Sequence, residues 1–243
     1  MISKQQIKIP GAVLPQLRIA NGTIEVLKWV GLVLMTGDHV NKYLFNGTLP
    51  ILFEAGRLAL PIFVFVLAFN LSRPGQLEKG AYLRAMKRLA FVGAMASVPF
   101  ISLGGLYAGW WPLNILFTLF VLTATAYLCD LRRFWAAALV FAVGGGVVEY
   151  WWPAILFGMA VWSYRKNPSI LSASIAVASC AGLSVVNGNY WALAALPLLI
   201  LAARYDLHIP RLSILFYSYY PLHLAVIWLV RIPMSHAGYL FFY

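Results

Sequence analysis

Residues 28–41 read KWVGLVLMTGDHVN, an apolar helical stretch whose strongly polar residues sit at its two ends. Lys28 and His39 are eleven positions apart, so they fall within about 20° of one helix face, separated by roughly 16 Å of rise. A cation and an imidazole therefore share one stripe of an otherwise apolar rod. If that rod spans a bilayer, Lys28 lies near one interface and the Asp38-His39 pair lies inside the span or towards the other. Such a layout suggests a site reached from both sides.

Composition sets the environment. The chain has 243 residues, 62% hydrophobic and 10% charged, with a mean hydropathy of +0.81, whereas soluble domains carry about a quarter charged residues. This predicts an integral membrane protein. Eighteen Lys+Arg against seven Asp+Glu leave a net charge of +11, which in a soluble chain would raise nucleic-acid binding. Here the basic residues fall between apolar runs and read as topology signals, with no nucleic-acid partner expected. Cys129 and Cys180 have no metal-type spacing and read as buried thiols, and no metal site is expected.

Outward from the opening stretch, residues 1–22 form a basic lead with Lys4, Lys8 and Arg18, broken by Pro10, Gly11, Pro15 and Asn21-Gly22, and expected on the cytoplasmic surface. Nine apolar runs follow, near 24–45, 51–72, 84–105, 112–129, 134–150, 152–164, 169–186, 189–204 and 212–231. The first is longer than a signal-peptide core, lacks a small-residue cleavage site, and is expected to be retained as a span. The stretch 134–164, interrupted by Gly144-Gly145-Gly146 and Pro153, is compatible with two short spans or with one kinked span and a re-entrant piece. Lysines and arginines occupy every second connection, as in Arg73, Lys79, Arg84, Lys87 and Arg88, then Arg132-Arg133, Arg165-Lys166, and Arg204 with Arg211. Under the positive-inside rule the expected fold is an all-α polytopic bundle of about nine transmembrane helices, N-terminus cytoplasmic and C-terminus periplasmic.

Ionisable groups at membrane depth normally face the protein interior, pair, or line a water-filled path. Asp38, His39, Glu54, Arg57, Asn70, Asn114, Glu149 and His223 fall within or at the ends of spans, and several of them, His39, Arg57, Asn114, Glu149 and His223, converge on the outer half as a polar chamber. Local alternatives stand beside that reading: Asp38 pairing with Lys42 at i,i+4, Glu54 pairing with Arg57 at i,i+3, and His223 as a hydrogen-bonded core histidine. In YLRAMKRL, 82–89, Arg84, Lys87 and Arg88 project from one helix face. They read either as interfacial anchors or as a dock for phosphates, which guanidinium forks bind bidentately. Walker-type, Gly-x-Gly-x-x-Gly, HExxH, CxxC and GxSxG patterns are absent.

VLKWVGLVLMTGDHVNKYLF (26–45), LFEAGRLALPIFVFVLAFNLSRPG (52–75), WWPLNILFTL (110–119) and FYSYYPLHLAVI (216–227) together resemble the TraX family of conjugative-pilin acetylation proteins. The resemblance runs from about residue 24 to 231, and its DH, AGR-x-x-x-P and NILF blocks carry most of its specificity. More remotely, the Lys28-to-His39 spacing, YLRAMKR and the late YYPLH run look like the membrane acyltransferase-3 group. The resemblance implies one acyltransferase-like domain, 23–243, in the bacterial inner membrane and in contact with its lipids. It would transfer acetyl from cytoplasmic acetyl-CoA, a co-substrate, to the N-terminal amine of a pilin subunit at the periplasmic face, alongside other conjugation-machinery proteins. On that reading Lys28, Arg84, Lys87 and Arg88 hold the CoA phosphates, and His39 is the general base. Asp38, Glu54 or Glu149 orients it, Arg57 or Asn114 stabilises the oxyanion, and His223 completes the site. Direct transfer and a transient acetyl-histidine both fit. A non-enzymatic pilin assembly factor and a small-solute transporter are the competing classes.

Overall fold

The computed structural model describes residues 14–210 and 213–238, the last helix in side-chain detail from Phe216. Lys4, Lys8, Pro10 and Gly11 of the basic lead, and Arg211, lie outside the described residues. The helices are α1 (Asn21–Leu44), α2 (Pro50–Gly56), α3 (Ala59–Leu71), α4 (Ala81–Ser102), α5 (Ile115–Asp130) and α6 (Phe134–Val147). They continue as α7 (Trp151–Lys166), α8 (Ile170–Gly182), α9 (Ser184–Asn187), a 3-10 turn (Trp191–Ala194), α10 (Ala195–Ala202) and α11 (Ser213–His236). α2 and α3 form one broken rod, as do α8 with α9 and the 3-10 turn with α10. Among the described residues this makes nine helical rods, one for each apolar run, with two isolated bridges as the only β pairing. Two rods, Pro50–Leu71 and Ile170–Asn187, are long and apolar enough to cross a membrane by length and composition.

The stretch 134–164 resolves into two helices, α6 and α7, joined by a turn at 148–150. The glycine triplet stays inside α6, where a Cβ on Gly145 would lie 2.4 Å from the Trp152 ring. Asn21-Gly22, expected as a breaker in the lead, instead forms the first turn of α1. The backbone of Leu207 crosses so closely there that a Cβ on Gly22 would sit 1.7 Å from its carbonyl oxygen.

α3 is the axis of the fold. Its residues Ile62, Val64, Ala68 and Phe69 are buried among α5, α7 and α10, in a core that also holds Leu122, Ile155, Phe157 and Leu183. A second core joins α1, α4 and α11 through Tyr43, Leu89, Ala96, Phe100, Tyr220 and Leu224. The two cores part along α1 and α3, and that seam contains the cavities described below. The outer circumference is also apolar: Phe91 and Met95 of α4, Trp135 and Leu139 of α6, Ile170 and Val177 of α8, and Leu222 and Val226 of α11 are exposed.

The basic connections meet at one end of the bundle. There Lys166 pairs with Asp130, Tyr164 donates to the Pro15 carbonyl at 3.0 Å, and Thr23 donates to the Tyr205 carbonyl at 2.6 Å. At the opposite end the Leu113–Val148 bridge and the Arg57–Asn187 hydrogen bond join connections rich in exposed aromatics, among them Tyr107, Trp110, Trp152, Tyr190 and Trp191.

Candidate active site

The α1–α2 turn is held by Asn41, whose carbonyl accepts from Gly47 N–H at 2.9 Å and whose Oδ1 accepts from Leu49 N–H at 2.8 Å. This tight hairpin carries Arg57 to Asp38, with Nη2 2.5 Å from Oδ1. Asp38 therefore pairs across the hairpin and not along its own helix with Lys42, whose ammonium lies over the Tyr43 ring at 5.1 Å. The approach needs Gly56, because a Cβ there would lie 2.4 Å from the Asp38 Cβ. Arg57 also donates from Nε to the Phe53 carbonyl at 3.1 Å and from Nη1 to Asn187 Oδ1 at 3.3 Å. Its fork is occupied on three sides, which fixes the Asp38 carboxylate. The alternative Glu54–Arg57 pair does not form among the described residues, where Glu54 has no ion pair.

One turn of α1 past Met35, His39 meets His223 of α11. Nδ1 of His39 is 2.7 Å from Nε2 of His223, and the two rings lie within 2° of parallel. Nδ1 of His223 is 2.9 Å from the Tyr219 carbonyl. A carbonyl only accepts, so that Nδ1 carries the hydrogen and, in the neutral ring, Nε2 is the acceptor. His39 Nδ1 must then donate, and His39 Nε2 keeps its lone pair. The dyad thus orients one imidazole as a base, and a packed side chain holds it in place: Tyr219 also shares a 2.7 Å hydrogen bond with Thr36, one turn before His39 on α1.

Two cavities meet at His39. The larger, about 470 Å³, runs along the seam between α1, α3, α4, α5 and α11. Lys28, Arg73, Arg84 and Arg88 line it at the basic end, apolar side chains such as Leu32, Phe63 and Leu119 along its length, and Asp38 and His39 at its head. The smaller, about 310 Å³, lies at the aromatic end, bordered by Lys42, Phe53, Arg57, Tyr107, Trp151 and Asn187. Asp38, His39, Glu149, Tyr150 and Tyr220 line both. The total space is in the range of small-molecule sites, and an imidazole stands where its two halves join.

Glu149 and Tyr150 reach this junction from the α6–α7 connection. Tyr150 and Trp151 adopt φ of 60° and 50°, a left-handed conformation that costs a side-chain-bearing residue about 1–3 kcal/mol. The turn is held by Leu113, which donates to Val147 and accepts from Glu149, both at 2.9 Å. Thr118 also donates to the Glu149 carbonyl at 2.7 Å. Burial pushes the Glu149 carboxyl up to about 7, against the opposing influence of Lys42 and the Ile115 N–H.

His39, Asp38, Arg57 and His223 are thus brought together, with His223 behind His39 and outside both cavity linings. Lys28, Arg84 and Arg88 share the basic mouth, where Lys28 is paired with Glu25 at 2.6 Å. Lys87 points outward, exposed and lining neither cavity. Asn114 is away from the site: it caps α5 through a 3.1 Å bond from Leu116 N–H and ties α5 to α4 by donating to the Gly93 carbonyl at 2.9 Å. Arg73, Tyr150 and Tyr220 join the cavities without having stood out in the sequence, since nothing in an apolar or loop context marks which aromatic or terminal arginine turns inward. Among the described residues no three His, Cys, Asp or Glu side chains converge as a metal site.

Residues 23–231 match the family described as TraX protein. Protein TraX of Escherichia coli is 34% identical over 127 residues, covering 51% of this chain and 48% of the relative. Protein TraX of Escherichia coli strain K12 is 33% identical over 129 residues with the same two shares. The chain spans about half the length of these curated relatives. No solved structure matches.

Proposed function

The chain belongs to the TraX family, and from that premise we propose that it is a multi-pass protein of the bacterial inner membrane that acetylates an amine at the periplasmic face. Its donor is cytoplasmic acetyl-CoA and its acceptor the N-terminal amine of a conjugative pilin subunit. The observation that carries this reading is the pair of cavities meeting at His39, one opening on arginines and the other on aromatics. A donor held on one side can then serve an acceptor on the other.

Membrane residence is supported by the apolar circumference and by the separation of a basic end from an aromatic one, the distribution that membrane interfaces select. Arg73, Arg84 and Arg88 would take the diphosphate of the donor by forked hydrogen bonds. Its flexible arm would follow the apolar seam past Leu32, Phe63 and Leu119 and bring the thioester to His39. An α-amine has an ordinary pKa of about 8 and arrives largely as an ammonium. Glu149 is the junction carboxylate not paired with a guanidinium among the described residues; it binds that ammonium and takes its extra proton, leaving the neutral amine. As the amine nitrogen attacks the thioester carbon, His39 Nε2 takes a proton from it. The C–S bond then breaks, and the proton passes to sulfur, releasing CoA as the thiol. Tyr150 and Tyr220, at the junction, are the phenols positioned to donate to the oxyanion.

Purified protein incubated with acetyl-CoA and a peptide carrying a mature pilin N-terminus should add about 42 Da to the peptide, one acetyl replacing one hydrogen. His39→Ala should abolish the addition. Acetylation at the wild-type rate by that variant would sink the assignment.

A further inference from the structure

A second basic pocket lies beside the mouth of the larger cavity. It encloses about 260 Å³ between the α3–α4 loop, residues 72–80, and the ends of α5 and α7. Arg73 and Gln76 line both spaces, so the loop is a shared wall. Arg165 and Lys166 form the far side, with Glu78 and Asp130 the carboxylates among the lining residues.

The charges are unevenly satisfied. Asp130 is fully engaged: it pairs with Lys166 and accepts from the Tyr82 hydroxyl at 2.7 Å, which itself accepts from Trp162 at 2.9 Å. Arg165 is stacked on the Phe69 ring at 4.6 Å, and Arg73 approaches the same ring at 5.5 Å. Two guanidinium groups therefore gather at one aromatic ring. The Nε of Arg165 is buried with no hydrogen-bond partner, and Arg18 adds a third guanidinium close enough to repel it. Like charges gathered against a ring, with a buried donor left over, form a site preorganised for a multiply charged oxyanion, and guanidinium forks match phosphate oxygens.

We propose that this pocket is a phosphomonoester site which, resting on the acetyl-CoA reading above, holds the 3′-phosphate of the donor while the diphosphate lies across the loop at Arg84 and Arg88. The shared residues Arg73 and Gln76 would then contact both ends of one nucleotide head. A phosphatidic-acid headgroup offers the same monoester chemistry, and the two sources separate experimentally.

Binding of CoA and of dephospho-CoA, which lacks only the 3′-phosphate, is measured on the full-length protein in nanodiscs of neutral lipid. The wild type should prefer CoA by about ten- to a hundredfold, the worth of charge-assisted hydrogen bonds. Arg165→Ala should erase the preference while binding dephospho-CoA as the wild type does, and Arg165→Lys should keep part of it. Equal affinities in the wild type, or equal losses for both ligands in Arg165→Ala, overturn the site. If the wild type binds neither ligand, the donor reading itself has failed. Titration with phosphatidic acid against phosphatidylglycerol then decides: an Arg165-dependent preference for phosphatidic acid keeps the monoester site, and no preference overturns it.

Discussion

His223 acts through another side chain. It lines neither cavity, yet its bond to His39 and its own anchor on the Tyr219 carbonyl decide which nitrogen of His39 is left basic. On the proposed mechanism it is a positioning residue. A hydrogen-bond partner that orients a metal-bound histidine is typically worth about 10–100-fold in affinity or activity, and on the same order His223→Ala should lower kcat with KM for acetyl-CoA nearly unchanged. His223→Gln, whose amide oxygen can still accept from His39 Nδ1, should recover part of the loss. A merely structural histidine would move thermal stability and both kinetic constants together, without rescue by Gln. Glu149 couples stability to pH. Its carboxyl is raised in the folded chain, so the folded state holds a proton that the unfolded chain releases as pH climbs from the ordinary value near 4.5 to about 7. Stability is lost across that window and the penalty is complete above it. Glu149→Gln removes the titration, so the melting temperature of the variant should exceed that of the wild type at pH 8 and match it at pH 4. An equal gap at both pH values would mean that burial of the charge is not what separates them.

At the scale of the element, the α1–α2 hairpin shows both what was legible in the sequence and what was not. The apolar runs and the 3.6-residue stripe of Lys28 and His39 follow from local pattern, and both residues do line one cavity. The break between α2 and α3 was hidden in continuous hydropathy. Pro61 has no N–H to donate to the Arg57 carbonyl, and the chain tightens there into bonds that span three residues, from Arg57 N–H to the Glu54 carbonyl and Leu58 N–H to the Ala55 carbonyl, at 3.2 and 3.1 Å. Partner choice was hidden for a different reason. Sequence proximity favours Lys42 for Asp38 and Glu54 for Arg57, but helix packing offers a nearer partner nineteen residues away. Asn114 looked like a buried polar group seeking a role, and helix capping satisfies it. Gly56 tests the hairpin directly. Gly56→Ala places a methyl on the Asp38 side chain, so it should cost about 1–3 kcal/mol as overpacking does, measured by thermal or denaturant unfolding. Because the displaced group belongs to the site, acetylation should fall beyond what the stability loss explains. A variant as stable and active as the wild type would show that the Asp38–Arg57 contact does not depend on that approach.

For the whole molecule, the distribution of charge and aromatic groups gives the bundle two unlike ends, and the seam between its two cores connects them. The alternating basic connections were visible in the sequence, and they do gather at one end of the fold. The seam was not visible, because it depends on contacts far separated along the chain, with α5 packed against α4 on one side and against α7 on the other. On the proposed function, the seam would give the reaction two sides: donor from the basic end, acceptor from the aromatic end, with His39 between them. The most direct measurement uses proteoliposomes with acetyl-CoA sealed on the basic side and the pilin peptide confined to the other. A two-sided site should give acetylated peptide outside intact vesicles, dependent on His39. Acetylation only when donor and peptide share one compartment, or an undiminished signal from His39→Ala, would contradict it.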